Sequence, residues 1–315
     1  MGTLGRPPIL VTRALPSSVM ARLEEVCDVD RFAGEGPMPR EEMLRRVAGK
    51  RALVSMVTDA VDATVIAAGT DLRLVANVAV GYNNVDVTAA TARGIIVTNT
   101  PDVLTDATAD FTLALILAVT RRLGEGERLV RRGAWTGWAF DQLLGTQLRG
   151  RQLGIVGYGR IGRAVSARAE AFGMTVVHAG RPGVGTRDSG LDRLLSSSDI
   201  VSLHVPLTPD TRHLIGQTQL ARMKRSAYLI NTTRGPVVDE AALAWALRQH
   251  LIAGAALDVY EREPEVHPDL LSLENVVLAP HLGSATTETR TAMADLAASN
   301  VIEVLGGRAP LTPVP

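Results

Sequence analysis

Residues 154–162 read Gly154-Ile155-Val156-Gly157-Tyr158-Gly159-Arg160-Ile161-Gly162, and this stretch decides how the rest of the chain is read. It sets G-x-G-x-x-G at Gly157, Gly159 and Gly162. An apolar run, residues 153–156, precedes it, and Ile161, Val165 and Ala169 follow at the i, i+4, i+8 spacing of one helix face. Strand, tight turn and helix in that order are the context of a dinucleotide fingerprint. The first glycine permits the turn, the second lets the backbone approach a pyrophosphate, and the third lets helix and strand pack closely. The motif sits in mid-chain, so the long segment before it must form something other than the cofactor domain.

Working outward, short apolar runs alternate with helical patterns in both directions. Strands are expected near residues 9–11, 52–55, 74–76, 95–97, 153–156, 175–178, 200–205, 227–231, 253–257 and 276–278. One helix is expected after Pro16, with Val19, Leu23 and Val26 on one face. A long one is expected over residues 103–123, ended by Gly124. A final one carries Met293, Leu296, Asn300 and Val304 and stops at Gly306-Gly307. Strands alternating with helices imply an α/β chain with parallel sheets of β-α-β units. Connections are expected at Asn99-Thr100-Pro101, where proline disfavours helix before it, and at residues 283–286.

Composition narrows the class. The chain has 315 residues, room for two domains, and is 46% hydrophobic but only 3% aromatic, so its cores must be aliphatic. Its 33 basic and 33 acidic residues cancel, which offers no basic excess for nucleic acid or a membrane surface. The single cysteine, Cys27, reads as a small buried thiol and fits a reducing compartment. Residues 1–13 lack the pattern of a signal peptide, and the most apolar run, residues 111–119, is far short of the roughly 18 residues a membrane span requires. A cytoplasmic protein is expected, and no metal site is apparent.

The strand after the fingerprint helix ends at His178-Ala179-Gly180-Arg181. An NAD site carries Asp or Glu about 20 residues past the glycines to bind the ribose 2′-hydroxyl. Gly180 stands there without a carboxylate, and Arg181 follows. A guanidinium can hold a 2′-phosphate in bidentate fashion, whereas an acid would repel it. NADPH is therefore the expected cofactor, ahead of NAD.

Three charged residues follow apolar strands: Arg234 in Asn231-Thr232-Thr233-Arg234-Gly235, Glu263 in Leu257-Asp258-Val259-Tyr260-Glu261-Arg262-Glu263-Pro264, and His281 in Ala279-Pro280-His281-Leu282-Gly283. Ligands of open α/β sheets bind beyond the carboxyl ends of the strands, where these three can meet despite spacings of 29 and 18 residues. Alone, each reads as a solvated or capping side chain; together they suit reduction of a 2-oxo acid. Arg234 would hold the carboxylate and carbonyl, His281 would donate a proton to the nascent alkoxide, and Glu263 would keep His281 protonated and oriented.

The chain is similar to the D-isomer-specific 2-hydroxyacid dehydrogenase family, and within it most resembles glyoxylate/hydroxypyruvate reductases. The resemblance rests on Asn77-Val78-Ala79-Val80-Gly81-Tyr82-Asn83-Asn84-Val85-Asp86, on Thr100-Pro101-Asp102-Val103-Leu104-Thr105-Asp106-Ala107-Thr108-Ala109-Asp110, on the fingerprint, and on residues 231–235, 257–264 and 280–285. Asn83 stands where many relatives have Asp. The resemblance implies an Arg–Glu–His catalytic trio at Arg234, Glu263 and His281. It implies substrate carboxylate binding by the N–H groups of Val80 and Gly81, and pyrophosphate contacts from Arg160 and Ile161. It also implies a nicotinamide lining from Thr105, Pro206, Thr233, Asp258, Gly283 and Ser284. Its fold is two doubly wound domains, a Rossmann cofactor domain (100–286) inserted into a discontinuous flavodoxin-like substrate domain (1–99 with 287–315), with the cleft between them and the last helix crossing back.

Members are typically homodimers, and Trp138, in Gly133-Ala134-Trp135-Thr136-Gly137-Trp138, resembles a tryptophan that reaches the neighbouring subunit's active site. The expected activity is NADPH-dependent reduction of glyoxylate to glycolate and of hydroxypyruvate to D-glycerate. The competing readings are another D-2-hydroxyacid dehydrogenase, of 3-phosphoglycerate or D-lactate type, and a dinucleotide-sensing corepressor-like protein.

Overall fold

The structure is a computed structural model that describes residues 5–180 and 190–315. The chain forms two compact units, one of residues 1–104 with 286–315 and one of residues 105–285.

The first unit holds five parallel strands: β1 (Pro8–Val11), β2 (Asp28–Arg31), β3 (Ala52–Met56), β4 (Leu74–Val78) and β5 (Ile96–Thr98). Their order is β2-β1-β3-β4-β5, the flavodoxin-like doubly wound order. Ile9, Val11, Val54, Leu74 and Ala76 pack into one layer with Val19, Leu23, Ala297 and Val301. Leu10, Leu53 and Val75 pack into the other with Met43, Val47, Val65 and Ile66. Burial on both faces is why these strands read as unbroken apolar runs. Each fully buried Leu or Ile contributes about 1.5–3 kcal/mol relative to exposure. The helix Thr287–Leu305 lies on β3 and β4 and against the helix Ser17–Val26, so the last helix of the chain completes the first unit. Its stripe of Ala294, Ala297 and Ala298 lets it lie close to the sheet.

Three local expectations change. Strand β2, Asp-Val-Asp-Arg, has no apolar run; it is an edge strand paired only with β1, and Asp30 pairs with Arg46 and Lys50. The first helix buries Val19, Met20, Leu23 and the following Cys27, so the stripe passes beside Val26, which is 43% exposed. Burial pushes the Cys27 thiol up to about 11, which keeps it protonated and unreactive at neutral pH. The helix expected over residues 103–123 is two helices, Thr105–Thr120 and Leu123–Arg131, with Arg122 left-handed between them and Gly124 inside the second. The cause is distant in sequence. The Thr120 carbonyl accepts the Thr146 N–H (2.8 Å), and Gly145 lies so close to that carbonyl that a side chain would overlap it.

The second unit holds six parallel strands: β6 (Gln152–Val156), β7 (Thr175–Ala179), β8 (Ile200–Leu203), β9 (Tyr228–Asn231), β10 (Gly254–Leu257) and β11 (Val276–Leu278). Their order is β11-β10-β9-β8-β6-β7. The chain runs outward from β6 to β7 and then crosses back to β8, which makes the carboxyl end of β6 a topological switch point, where such sheets bind ligands. Leu153 and Ile155 pack on one face with Ala109, Ile116, Val165 and Ala169; Val156 and Leu203 pack on the other with Leu194 and Leu243. Among the described residues no helix is long and apolar enough to cross a membrane.

His204 ends β8. Its N–H donates to the Val156 carbonyl (2.7 Å) and its Nε2 lies 2.8 Å from Ser202 Oγ. Burial holds the imidazole down at about 4, against an ordinary 6.5. Between those two values the unfolded chain binds the extra proton, so stability rises with pH through that window and is fully present above it. The window is worth up to about 3 kcal/mol. The urea midpoint of wild type should therefore climb more steeply from pH 4.5 to 6.5 than that of His204→Gln; parallel curves would contradict the assignment.

Candidate active site

The fingerprint folds as its glycines require. Gly157 has φ +95°, and an added Cβ would stand 2.6 Å from the His204 carbonyl oxygen. Gly162, inside the helix Arg160–Ala171, packs against the Gly157 carbonyl so closely that a Cβ would overlap it. Gly159 is the N-cap, receives no side-chain cap, and has open space where its Cβ would be. The result is a helix N-terminus that no side chain caps, with a glycine surface beside it, which fits a pyrophosphate. Arg160 and Ile161 are the first residues of that helix. Arg181 lies outside the described residues. Gly180, at the end of β7, adds no carboxylate.

The three charged candidates stand beyond adjacent strands. Arg234 follows β9, Glu263 follows β10 and His281 follows β11, and these strands are neighbours in the sheet. The sheet order thus closes the gaps that separate them in sequence. His281 Nδ1 lies 2.9 Å from Glu263 Oε2. The other carboxylate oxygen of Glu263 accepts the Tyr260 N–H (3.1 Å). Burial alone would raise the Glu263 pKa; the hydrogen bond and charge of His281, the Tyr260 N–H and the charge of Arg234 outweigh it, and the net shift is downward. Glu263 is therefore a carboxylate, which only accepts, so Nδ1 carries the proton between them and Nε2 is the ring nitrogen left for chemistry. Both side chains keep some solvent access, 32% for His281 and 27% for Glu263.

Arg234 is held by its own turn. Asn231, 1% exposed, accepts from the Thr233 N–H (3.0 Å) and hydroxyl (2.9 Å) and donates to the Arg234 carbonyl (3.1 Å). Arg234 Nη1 donates to the Thr233 carbonyl (2.8 Å). Burial lowers the guanidinium pKa, and the field of Glu263 opposes the shift. Gly235 is pressed against the Tyr260–Glu261 peptide so closely that a Cβ would overlap it. That contact ties the Arg234 turn to the Glu263 loop, and only glycine fits it.

Among the supporting residues, Asp258 is expected only as part of the nicotinamide lining, and Tyr260, Glu240 and Glu261 carry no signal in the sequence. Asp258, 1% exposed, accepts the N–H groups of Leu282 (2.6 Å) and Gly283 (2.8 Å), and its carbonyl accepts the His281 N–H (2.9 Å). These bonds hold His281 in the left-handed region, at φ +56°, a conformation a non-glycine residue keeps only when its surroundings impose it. Tyr260, whose phenol burial pushes well above its ordinary pKa, donates to the Ala279 carbonyl (2.9 Å) and braces β10 to the turn after β11. Glu240 and Glu261 exchange bonds: the Glu261 N–H donates to Glu240 Oε1 (2.6 Å) and the Glu240 N–H to Glu261 Oε1 (2.9 Å). This clamp fixes the loop that ends at Glu263.

The other expected site residues are dispersed. Thr105 opens the helix Thr105–Thr120, Pro206 lies in the loop after β8, and Thr233 and Ser284 lie in the turns just described. Trp138 is 82% exposed on the surface of the second unit, in a segment without regular secondary structure. Val80 and Gly81 lie in the first unit, just beyond β4. Among the described residues no group of three or more His, Cys, Asp or Glu side chains is arranged to hold a metal ion.

Known proteins bear out the fold and the family. Residues 113–283 match the family model described as D-isomer specific 2-hydroxyacid dehydrogenase, NAD binding domain. The chain is 49% identical to a glyoxylate reductase of Korarchaeum cryptofilum, over 97% of this chain and 95% of that one, and 47% identical to a glyoxylate reductase of Thermococcus kodakarensis, over 98% and 96%. A crystal structure of a Thermus thermophilus protein superposes with a TM-score of 0.89 at 46% identity, covering 98% of this chain and all of that one. The NADPH-dependent glyoxylate/hydroxypyruvate reductase of Sinorhizobium meliloti, solved with NADP and malonate, superposes with a TM-score of 0.85 at 37% identity, covering 98% and 97%. With a Rossmann-type nicotinamide-dinucleotide domain and relatives matched end to end, the chain belongs to the D-isomer-specific 2-hydroxyacid dehydrogenase family of NAD(P)-dependent oxidoreductases.

Proposed function

We propose that this protein reduces glyoxylate and related small 2-oxo acids, hydroxypyruvate among them, with NADPH as the preferred reductant. The observation that carries the reading is the 2.9 Å pair of His281 and Glu263 within the field of Arg234, at the carboxyl edge of the cofactor-binding sheet. Hydride is the chemistry a nicotinamide supplies when bound. Arg234 draws the carbonyl and carboxylate oxygens of the substrate by charge and hydrogen bonds. His281 gives its Nε2 proton to the carbonyl oxygen as that oxygen becomes an alkoxide, and Glu263 stabilises the imidazolium that must be present beforehand. Val80 and Gly81 serve the substrate carboxylate through their N–H groups.

The preference for NADPH is supported by the uncharged Gly180 at the end of β7 and by the neighbouring Arg181. The S. meliloti relative, named NADPH-dependent, agrees with it. A homodimer is supported by the segment 123–144. None of the helix Leu123–Arg131 is buried, and Leu123, Trp138, Phe140 and Leu144 are 63%, 82%, 83% and 65% exposed. Large apolar side chains gathered on one surface segment call for a cover, here a second copy.

Following absorbance at 340 nm, NADPH should be consumed with glyoxylate and hydroxypyruvate faster than with pyruvate or 3-phosphohydroxypyruvate. His281→Ala should lose about 100-fold or more in kcat. No turnover with any 2-oxo acid would defeat the reading, and near-wild-type kcat in His281→Ala would defeat the proton-donor role. Arg181→Ala should lower the NADPH/NADH ratio of kcat/KM about tenfold or more; an unchanged ratio removes Arg181 from the phosphate. Light scattering should give twice the chain mass for wild type and the monomer mass for Trp138→Glu/Phe140→Glu; a wild-type monomer contradicts the assembly.

A further inference from the structure

The loop after β4 is anchored through its carbonyls. The carbonyls of three consecutive residues each receive a donor from within the first unit: Ala79 from the Thr100 N–H (2.8 Å), Val80 from Asn99 Nδ2 (2.8 Å) and Gly81 from Asn77 Nδ2 (3.1 Å). Among the described residues, the N–H groups of Val80, Gly81 and Tyr82 donate to no group of the chain. A trans peptide unit is planar, with its C=O and N–H opposed. Pinning the Ala79 carbonyl therefore aims the Val80 N–H, and pinning the Val80 carbonyl aims the Gly81 N–H. Successive N–H groups directed outward form an anion-binding surface.

The donors are themselves held. Asn77, fully buried, accepts from Ser55 Oγ (3.3 Å) and exchanges bonds with Asn84, whose amide also reaches the Met56 and Asp59 carbonyls. Asn99 is held from the far end of the chain. Its N–H donates to the Thr312 carbonyl (3.3 Å) and its carbonyl accepts the Thr312 hydroxyl (2.6 Å). That hydroxyl accepts from Asn300 Nδ2 (2.9 Å), and Asn300 Oδ1 accepts the N–H groups of Leu311 (2.9 Å) and Thr312 (3.2 Å). The tail runs antiparallel beside β5 at Thr98 and Pro313, with the Val314 N–H on the Val97 carbonyl (2.8 Å). Asn300 is fully buried near the end of the last helix, beside the buried Ala297, Ala298 and Val301. A buried amide in such a place is retained only where its bonds are made.

We propose that Asn300, Thr312 and Asn99 form a relay of positioning residues that sets the direction of the Gly81 N–H for the substrate carboxylate. The C-terminal tail is thereby a determinant of substrate affinity, although none of its residues touches substrate. The inference rests on the reading that Val80 and Gly81 receive that carboxylate. The relay acts on binding and has no part in proton or hydride transfer, so its loss separates KM from kcat.

The direct test is Thr312→Val, which removes the hydroxyl and keeps the shape, beside Thr312→Ser, which restores it. Thr312→Val should raise KM for glyoxylate about three- to tenfold, the loss of one neutral hydrogen bond, with kcat and KM for NADPH within about twofold of wild type. Thr312→Ser should behave as wild type. An unchanged KM for glyoxylate in Thr312→Val would overturn the proposal, as would equal losses in kcat and in both KM values, which mark a general structural role. A second measurement does not depend on turnover. Titration with oxalate should shift the Val80 and Gly81 amide resonances in wild type and Thr312→Ser, and at higher oxalate concentration in Thr312→Val. Identical titrations in all three proteins overturn the relay. If wild type reduces no 2-oxo acid, the proposed function fails, and the amide titration still decides the relay.

Discussion

A parallel strand covered on both faces can carry polar side chains only at its ends, and that constraint organises this protein. Both sheets are buried front and back by aliphatic layers. Functional groups are consequently pushed to the turns beyond the strands, where backbone N–H groups and charged side chains escape the core. Sheet order then decides which turns meet. Because β9, β10 and β11 are neighbours, Arg234, Glu263 and His281 stand along one edge.

Burial at that edge is partial, and the electrostatics follow from it. Desolvation would push Glu263 toward its neutral form; His281, the Tyr260 N–H and Arg234 together keep it charged. Arg234 is desolvated in turn and is supported by Glu263. The charges of Glu263 and Arg234 thus support each other, and the effects of substitutions at the two will not add. The supporting bonds are mostly to backbone: Asp258 to the Leu282 and Gly283 N–H groups, Asn231 to the Thr233 N–H and the Arg234 carbonyl, Glu240 to the Glu261 N–H. Rigid turns, more than side-chain contacts, deliver the geometry, in keeping with a site that must be organised before substrate arrives.

Much of this is legible in the residues alone. Ten of the strands stand on apolar runs, and the glycine spacing by itself identifies the dinucleotide turn. What escapes depends on partners distant in sequence. Strand β2 is polar because an edge strand beside charged Arg46 and Lys50 need not be apolar. The break at Arg122 follows from the Thr146 N–H, which no local pattern around residue 122 announces. Arg234, Glu263 and His281 can be named from their positions after strands, but the need for glycine at 235 cannot, because the Tyr260–Glu261 peptide that excludes a side chain lies some 25 residues further along. Asn99 and Asn300 are ordinary residues in sequence; their amides acquire a role only once the tail lies beside β5.

The central reading is that Glu263 and His281 work as one pair. It is tested most directly by a double-mutant cycle on kcat for glyoxylate reduction with Glu263→Gln, His281→Ala and the double variant. Paired residues predict a double variant that loses little more than His281→Ala alone. Losses that multiply would contradict the pairing.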